Sequence, residues 1–234
     1  MNNRFWLYGA LLVTIQGLAA CGNNPVEQPA DIKASEPAGE YDKLVVAFGD
    51  SLYAGYQLAP SEGLAPQLQA ALKANGINAR VHSAGVSGDT TAAGKTRLAF
   101  VLDNLGAKPD LVVLGLGGND MLRGINPEQT RANLEAMLVE LKKRQIPVLL
   151  TGMIAAPNLG PDYARAFNAL YPEIAKQFDA KLYPFLLEGV VLDNTLMLKD
   201  NIHPNAKGVT RIVEGLSPLV EAELIEQQGA VLEK

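Results

Sequence analysis

The chain has 234 residues, 48% of them apolar and 19% charged, and carries a formal net charge of -5 at pH 7. A mildly acidic balance without a basic stripe argues against nucleic acid as a partner. A single Cys excludes an internal disulfide, and two His beside one Cys leave no zinc-type ligand set, so neither a metal nor another cofactor is expected.

Arg4 precedes an almost wholly apolar run from Phe5 to Ala20. That run is too short for a comfortable membrane span and suits the apolar core of a signal peptide. It ends Leu18-Ala19-Ala20-Cys21, which resembles the lipobox of bacterial lipoproteins. The resemblance implies cleavage before Cys21, acylation of its sulfur and a firm anchor, since two acyl chains already suffice. Pro25, Pro29 and Pro37 then punctuate a polar stretch that reads as a flexible tether. The expected organisation is a signal peptide over 1–20, a lipidated Cys and tether over 21–42, one domain over 43–226 and a tail over 227–234. Export to the periplasm follows, with Gly22 after the Cys pointing by analogy to the outer membrane. A monomer is expected.

Within the domain, apolar runs alternate with helical patterns. Leu44 to Phe48 is a continuous apolar strand. Leu64 to Ala74 reads as a helix stopped by Asn75-Gly76. Ala79 to Ser83 is a second strand, and Thr90 to Leu105 a helix capped by Asp89 or Thr90. Leu111 to Leu114 is a third, buried strand. Asn126-Pro127-Glu128-Gln129 opens a helix with a cap, Pro at its first position and an apolar face of Leu134, Met137, Leu138 and Leu141. Pro147 to Leu150 is the fourth strand. Tyr163 to Phe178 is helical, with Pro172 expected to kink or split it. A weak strand near Leu182 and a helix from about Asn205 to Leu224 complete the series. Strands that are apolar throughout belong inside a parallel sheet covered on both faces. Strict alternation with helices predicts a three-layer α/β/α sandwich with a mostly parallel sheet.

In such sheets the site lies beyond the carboxyl ends of the strands. Three short polar motifs follow strand-like segments: Gly49-Asp50-Ser51-Leu52, Ser87-Gly88-Asp89-Thr90 and Gly117-Gly118-Asn119-Asp120. A fourth, Asp200-Asn201-Ile202-His203-Pro204, precedes the last helix. A Ser hydroxyl is a poor nucleophile until a base takes its proton. Asp200 lies three residues before His203, so a tight turn can bring the carboxylate to one ring nitrogen and leave the other for Ser51. The rival base, His82, sits within the second strand with no carboxylate nearby in sequence. Asp50 and Asp120 read as acceptors that shape their loops. Gly94-Lys95-Thr96 resembles the end of a phosphate-binding loop, but Asp89 stands where the first Gly must be.

These four motifs, in this order, resemble the GDSL/SGNH hydrolase family, in particular its small bacterial lysophospholipase/thioesterase/arylesterase branch. The resemblance runs from about Lys43 to about Leu224 and implies a flavodoxin-like SGNH-hydrolase fold. It implies Ser51, His203 and Asp200 as a catalytic triad. It also implies an oxyanion hole made of the Ser51 and Gly88 backbone N–H groups and the Asn119 side-chain amide. Glycine at 88 makes chemical sense, because it accepts positive φ and close approach. Apolar residues near the motifs, namely Tyr56, Leu116, Met121, Leu122, Ile125, Ile154 and Leu159, are candidates for an acyl-binding groove. The expected substrate is a small-molecule or lipid ester, and a thioester undergoes the same acyl transfer. Two alternatives stay open: an envelope acyl or acetyl transferase or polysaccharide acetylesterase using the same residues, and a non-catalytic lipid-binding lipoprotein.

Overall fold

A computed structural model of the chain describes residues 41–232, with side chains through residue 226. The expected signal peptide, Cys21 and nearly all of the tether lie outside the described residues. Among the described residues no helix is long and apolar enough to cross a membrane.

The elements follow in order β1 (Lys43–Gly49), α1 (Ser51–Ala54), α2 (Leu64–Ala74), β2 (Ala79–Gly85), α3 (Thr91–Asp103), β3 (Leu111–Gly115), α4 (Gly118–Leu122), α5 (Pro127–Lys143), β4 (Val148–Thr151), α6 (Pro161–Phe178), β5 (Lys181–Tyr183) and α7 (Ala206–Leu232). Among the described residues the five strands are all parallel, in the order β2-β1-β3-β4-β5. This is the doubly wound arrangement whose chain reversal falls between β1 and β3, the place where such sheets bind ligands.

Strand alternation sorts the two apolar layers. Val45 and Ala47 of β1 pack with Leu68 and Leu72 of α2 and Ile212 and Leu216 of α7. Val46 and Phe48 face Leu98 of α3, Leu134 and Leu138 of α5, and Phe167 and Ile174 of α6. These side chains are almost fully buried, and each one larger than Ala47 contributes about 1.5–3 kcal/mol relative to leaving it in water. The edge strand β5 is only three residues long, and Lys181 on it pairs with Glu223 and Glu226 of α7. A short, charged edge resists pairing with another chain.

Two expectations are corrected. Pro172 does not split its helix: α6 runs from Pro161 to Phe178 as one element. Phe167, Leu170, Tyr171 and Ile174 bury on both sides of the proline, and that packing offsets the missing hydrogen bond. The last helix continues well past Leu224, so residues expected as a tail extend α7 to Leu232.

Three glycines end the central strands at one level. Gly49 pairs in register with Gly85 on one side and with Gly115 on the other. A Cβ at Gly49 or Gly115 would collide with the Tyr53 ring, and one at Gly85 would collide with the α1 backbone. The missing side chains therefore make the shelf on which α1 lies.

Candidate active site

Ser51 is the first residue of α1, a single turn laid across that shelf. The Asp50 side chain caps the turn, its Oδ1 accepting from Leu52 N–H at 3.0 Å, and left-handed Gly55 closes it. Tyr53, 1% exposed, anchors the turn from below through a 2.7 Å hydrogen bond between its hydroxyl and that of Thr151. A first-turn residue such as Ser51 has no intrahelical acceptor for its N–H. Asp50 is almost fully buried, and burial pushes its carboxyl up to about 6 against the opposing pull of the Leu52 N–H and His203.

The segment between β5 and α7 delivers the base. Asp200 Oδ1 accepts from the Ile202 and His203 backbone N–H groups at 2.9 and 3.0 Å, folding the turn around left-handed Asn201. Asp200 Oδ2 lies 2.7 Å from His203 Nδ1, and His203 Nε2 lies 2.8 Å from Ser51 Oγ. Leu198 N–H donates to His203 O at 2.7 Å, and the Asn205 amide holds the carbonyls of Thr195 and Met197. Burial works to raise the Asp200 carboxyl, but the two backbone N–H donors and the His203 ring outweigh it and lower it to about 2. An ionised Asp200 can only accept, so the hydrogen-bond pattern assigns the proton to Nδ1 and leaves Nε2 free to take one from Ser51.

The loops after β2 and β3 meet beside Ser51. Gly88 has φ +85°, and Arg123 donates to its carbonyl at 2.8 Å. Asn119, on the one-turn helix α4, donates one amide hydrogen to Asp89 O at 3.0 Å, which leaves the second hydrogen of that amide for a ligand. Arg97 holds this loop from behind, bonding the Asp89 carboxylate at 2.6 Å and Gly49 O at 2.9 Å while stacking over Phe48. Asp120, 1% exposed, accepts from Thr91 N–H, Thr91 Oγ1 and Thr130 Oγ1, and so ties α4 to α3 and α5. Both aspartates beside the motif residues thus shape loops.

An apolar cavity of about 480 Å³ opens at Ser51, Asn119 and His203. Met121, Leu122 and Ile154 line it, and Met121 is seated by a hydrogen bond from Ala156 N–H to its sulfur. Ile125 and Leu159 lie outside its lining. Leu116 is corrected: at 1% exposure it belongs to the core beneath α3, pressed against Gly94. Tyr56 also lies outside the lining; its ring sits 4.4 Å from the His203 ring, tilted by 37°. The sequence reading missed the far wall, which comes from Met153 and from Phe185, Leu187, Val191 and Leu192 in the β5–α7 segment. The two apolar triplets Phe185 to Leu187 and Val190 to Leu192, on either side of Glu188-Gly189, were the signal available for it.

His82 stays apart, paired opposite Val46 within β2, half-buried, with its pKa lowered by burial and by Arg80. Among the described residues no cluster of three or more His, Cys, Asp or Glu could hold a metal ion.

A family model described as the GDSL-like Lipase/Acylhydrolase family matches residues 47–211. The esterase TesA of Pseudomonas aeruginosa is 40% identical over 179 residues, covering 76% of this chain and 88% of that protein. An Escherichia coli protein named thioesterase 1/protease 1/lysophospholipase L1 is 38% identical over 168 residues, 72% of this chain and 78% of that one. The crystal structure of AlinE4, an SGNH-hydrolase family esterase, superposes with a TM-score of 0.68 at 50% identity, covering 80% of this chain and 98% of that one.

Proposed function

The chain belongs to the GDSL-like lipase/acylhydrolase family and is an ester hydrolase; we propose that Ser51, His203 and Asp200 carry its reaction through an acyl-enzyme. The observation that carries this assignment is the unbroken chain from Asp200 Oδ2 through His203 to Ser51 Oγ at the mouth of an apolar cavity. His203 Nε2 takes the Ser51 proton as Oγ attacks the acyl carbonyl, and Asp200 stabilises the imidazolium that results. The oxyanion is held by the Ser51 and Gly88 N–H groups and the free hydrogen of the Asn119 amide. Deleting a single donor of this kind costs about 3–4 kcal/mol of barrier. His203 then protonates the leaving alcohol, activates water and returns the enzyme.

The substrates we propose are acyl esters whose chain fills the cavity, including aryl esters and lysophospholipids, with thioesters accepted through the same transfer. The names of the relatives and the apolar lining support that range. An apolar cavity suits an acyl chain better than the acetyl group of a sugar polymer. We also propose that Cys21 carries a lipid anchor and places the enzyme in the periplasm, on the outer membrane, as the lipobox-like segment supports.

A panel of p-nitrophenyl esters from acetyl to palmitoyl, with lysophosphatidylcholine alongside, tests the substrate proposal. Turnover that rises from acetyl to a medium chain supports it. Activity confined to acetyl esters, or acyl transfer to a sugar hydroxyl outrunning hydrolysis, refutes it. Mass spectrometry of the mature N-terminus tests the anchor, and an unmodified Cys21 would remove it.

A further inference from the structure

We infer that Tyr56 is a positioning residue for His203, a role that rests on the acyl-enzyme reading above. The ring centroids of Tyr56 and His203 lie 4.4 Å apart, with the planes inclined by 37°. The two polar contacts of the imidazole, to Asp200 and to Ser51, lie in the plane of the ring. They fix where the nitrogens point but place nothing against the faces of the ring. A second ring against its face supplies the missing perpendicular contact. It also favours the imidazolium that forms when Ser51 gives up its proton, because an aromatic face attracts a cation within about 6 Å.

The backbone holds Tyr56 in that place. Its N–H donates to Ser51 O at 3.2 Å, so the turn that presents the nucleophile also presents this ring. Gly55 and Gln57, on either side, both have left-handed φ, +71° and +57°. For Gln57 that conformation carries a steric cost, which the surrounding turn sustains. Tyr56 is 38% exposed and does not line the cavity, whereas the His203 side chain beneath it is only 15% exposed. The tyrosine therefore screens the imidazole from water without touching the acyl chain.

The test compares Tyr56→Leu, Tyr56→Phe and a pentafluorophenylalanine replacement, with wild type, on one p-nitrophenyl ester. Leu keeps bulk and removes the π face, Phe keeps the face, and the fluorinated ring keeps the shape while reversing its charge distribution. The expected result is a kcat lower by about 3- to 10-fold for the Leu and fluorinated variants, with KM unchanged, and Phe within about 2-fold of wild type. The rate of Ser51 modification by an ethyl phosphonate, which barely uses the acyl cavity, should fall in parallel. The fluorinated variant keeps the test decisive if Leu perturbs folding. A raised KM with kcat unchanged would make Tyr56 a substrate contact and overturn the inference, as would unchanged kinetics in both variants. Failure of wild type to react with the phosphonate would instead overturn the acyl-enzyme reading.

Discussion

Asp200→Asn isolates one function of one atom. Asn keeps an Oδ1 that can accept from the Ile202 and His203 N–H groups, so the turn that shapes the base survives. At the other position an amide NH2 replaces Oδ2, which lies 2.7 Å from Nδ1. That NH2 donates to Nδ1 and forces the ring proton onto Nε2, where it points at Ser51 and blocks proton transfer. Restoring the reactive tautomer costs the misdirected hydrogen bond, about 1–2 kcal/mol. Losing a charge-assisted bond to the imidazolium costs about 1.5–3 kcal/mol more. The Asp200 side chain is 33% exposed, and solvent screening keeps the second contribution at the low end. The sum, about 2.5–3.5 kcal/mol, lowers kcat by roughly 70- to 400-fold. Steady-state hydrolysis of a p-nitrophenyl ester, with thermal melts to show an intact fold, measures it. His203→Ala should cost more, because it removes the base itself. An Asp200→Asn enzyme within tenfold of wild type, or one slower than His203→Ala, would refute the assigned roles.

Asp50→Asn tests the buried carboxyl behind the nucleophile. Its pKa is raised from 3.8 to about 6, so its contribution to stability is fully present below about pH 4 and is lost as pH rises through about 6. Asn keeps the cap without the charge. The variant should therefore gain on wild type by about 1–3 kcal/mol between pH 4 and pH 8, read from melts across that range. A pH-independent difference would show that burial does not raise the Asp50 carboxyl. Asp200 has the opposite sign: its contribution is full above about pH 4 and fades as pH falls towards 2. Leu116→Ala should cost about 2–5 kcal/mol of stability with KM unchanged. Ile154→Trp should leave stability nearly intact and restrict turnover to shorter acyl chains. Exchanged phenotypes would return Leu116 to the cavity.

The parallel sheet was legible because β1 and β3 are apolar on both faces, which only a doubly covered sheet demands. The polar motifs were legible because each comes where such a strand stops. Leu116 was misplaced although a period of two ran through it: Val112, Leu114 and Leu116 all face the same layer. Proximity to a motif outweighed that parity. The helices α1 and α4 are single turns, too short to leave a periodic signal, yet they seat Ser51 and Asn119. The wall of Phe185, Leu187, Val191 and Leu192 was hidden because a loop has no fixed direction for its side chains. Pro172 misled because local propensity was weighed without the packing on both sides of it. The glycine shelf needs register as well as sequence, since Gly49, Gly85 and Gly115 align only once the strands are paired. Arg97 has no motif of its own and declares its role only through its contacts with Asp89, Gly49 and Phe48.

The most direct test of the triad is labelling of the folded domain with a fluorophosphonate, followed by peptide mass spectrometry, with His203→Ala in parallel. A single adduct on Ser51 in the wild type, absent in the variant, is the predicted result. A folded wild-type protein that takes up no label, or one labelled at another residue, would contradict the account.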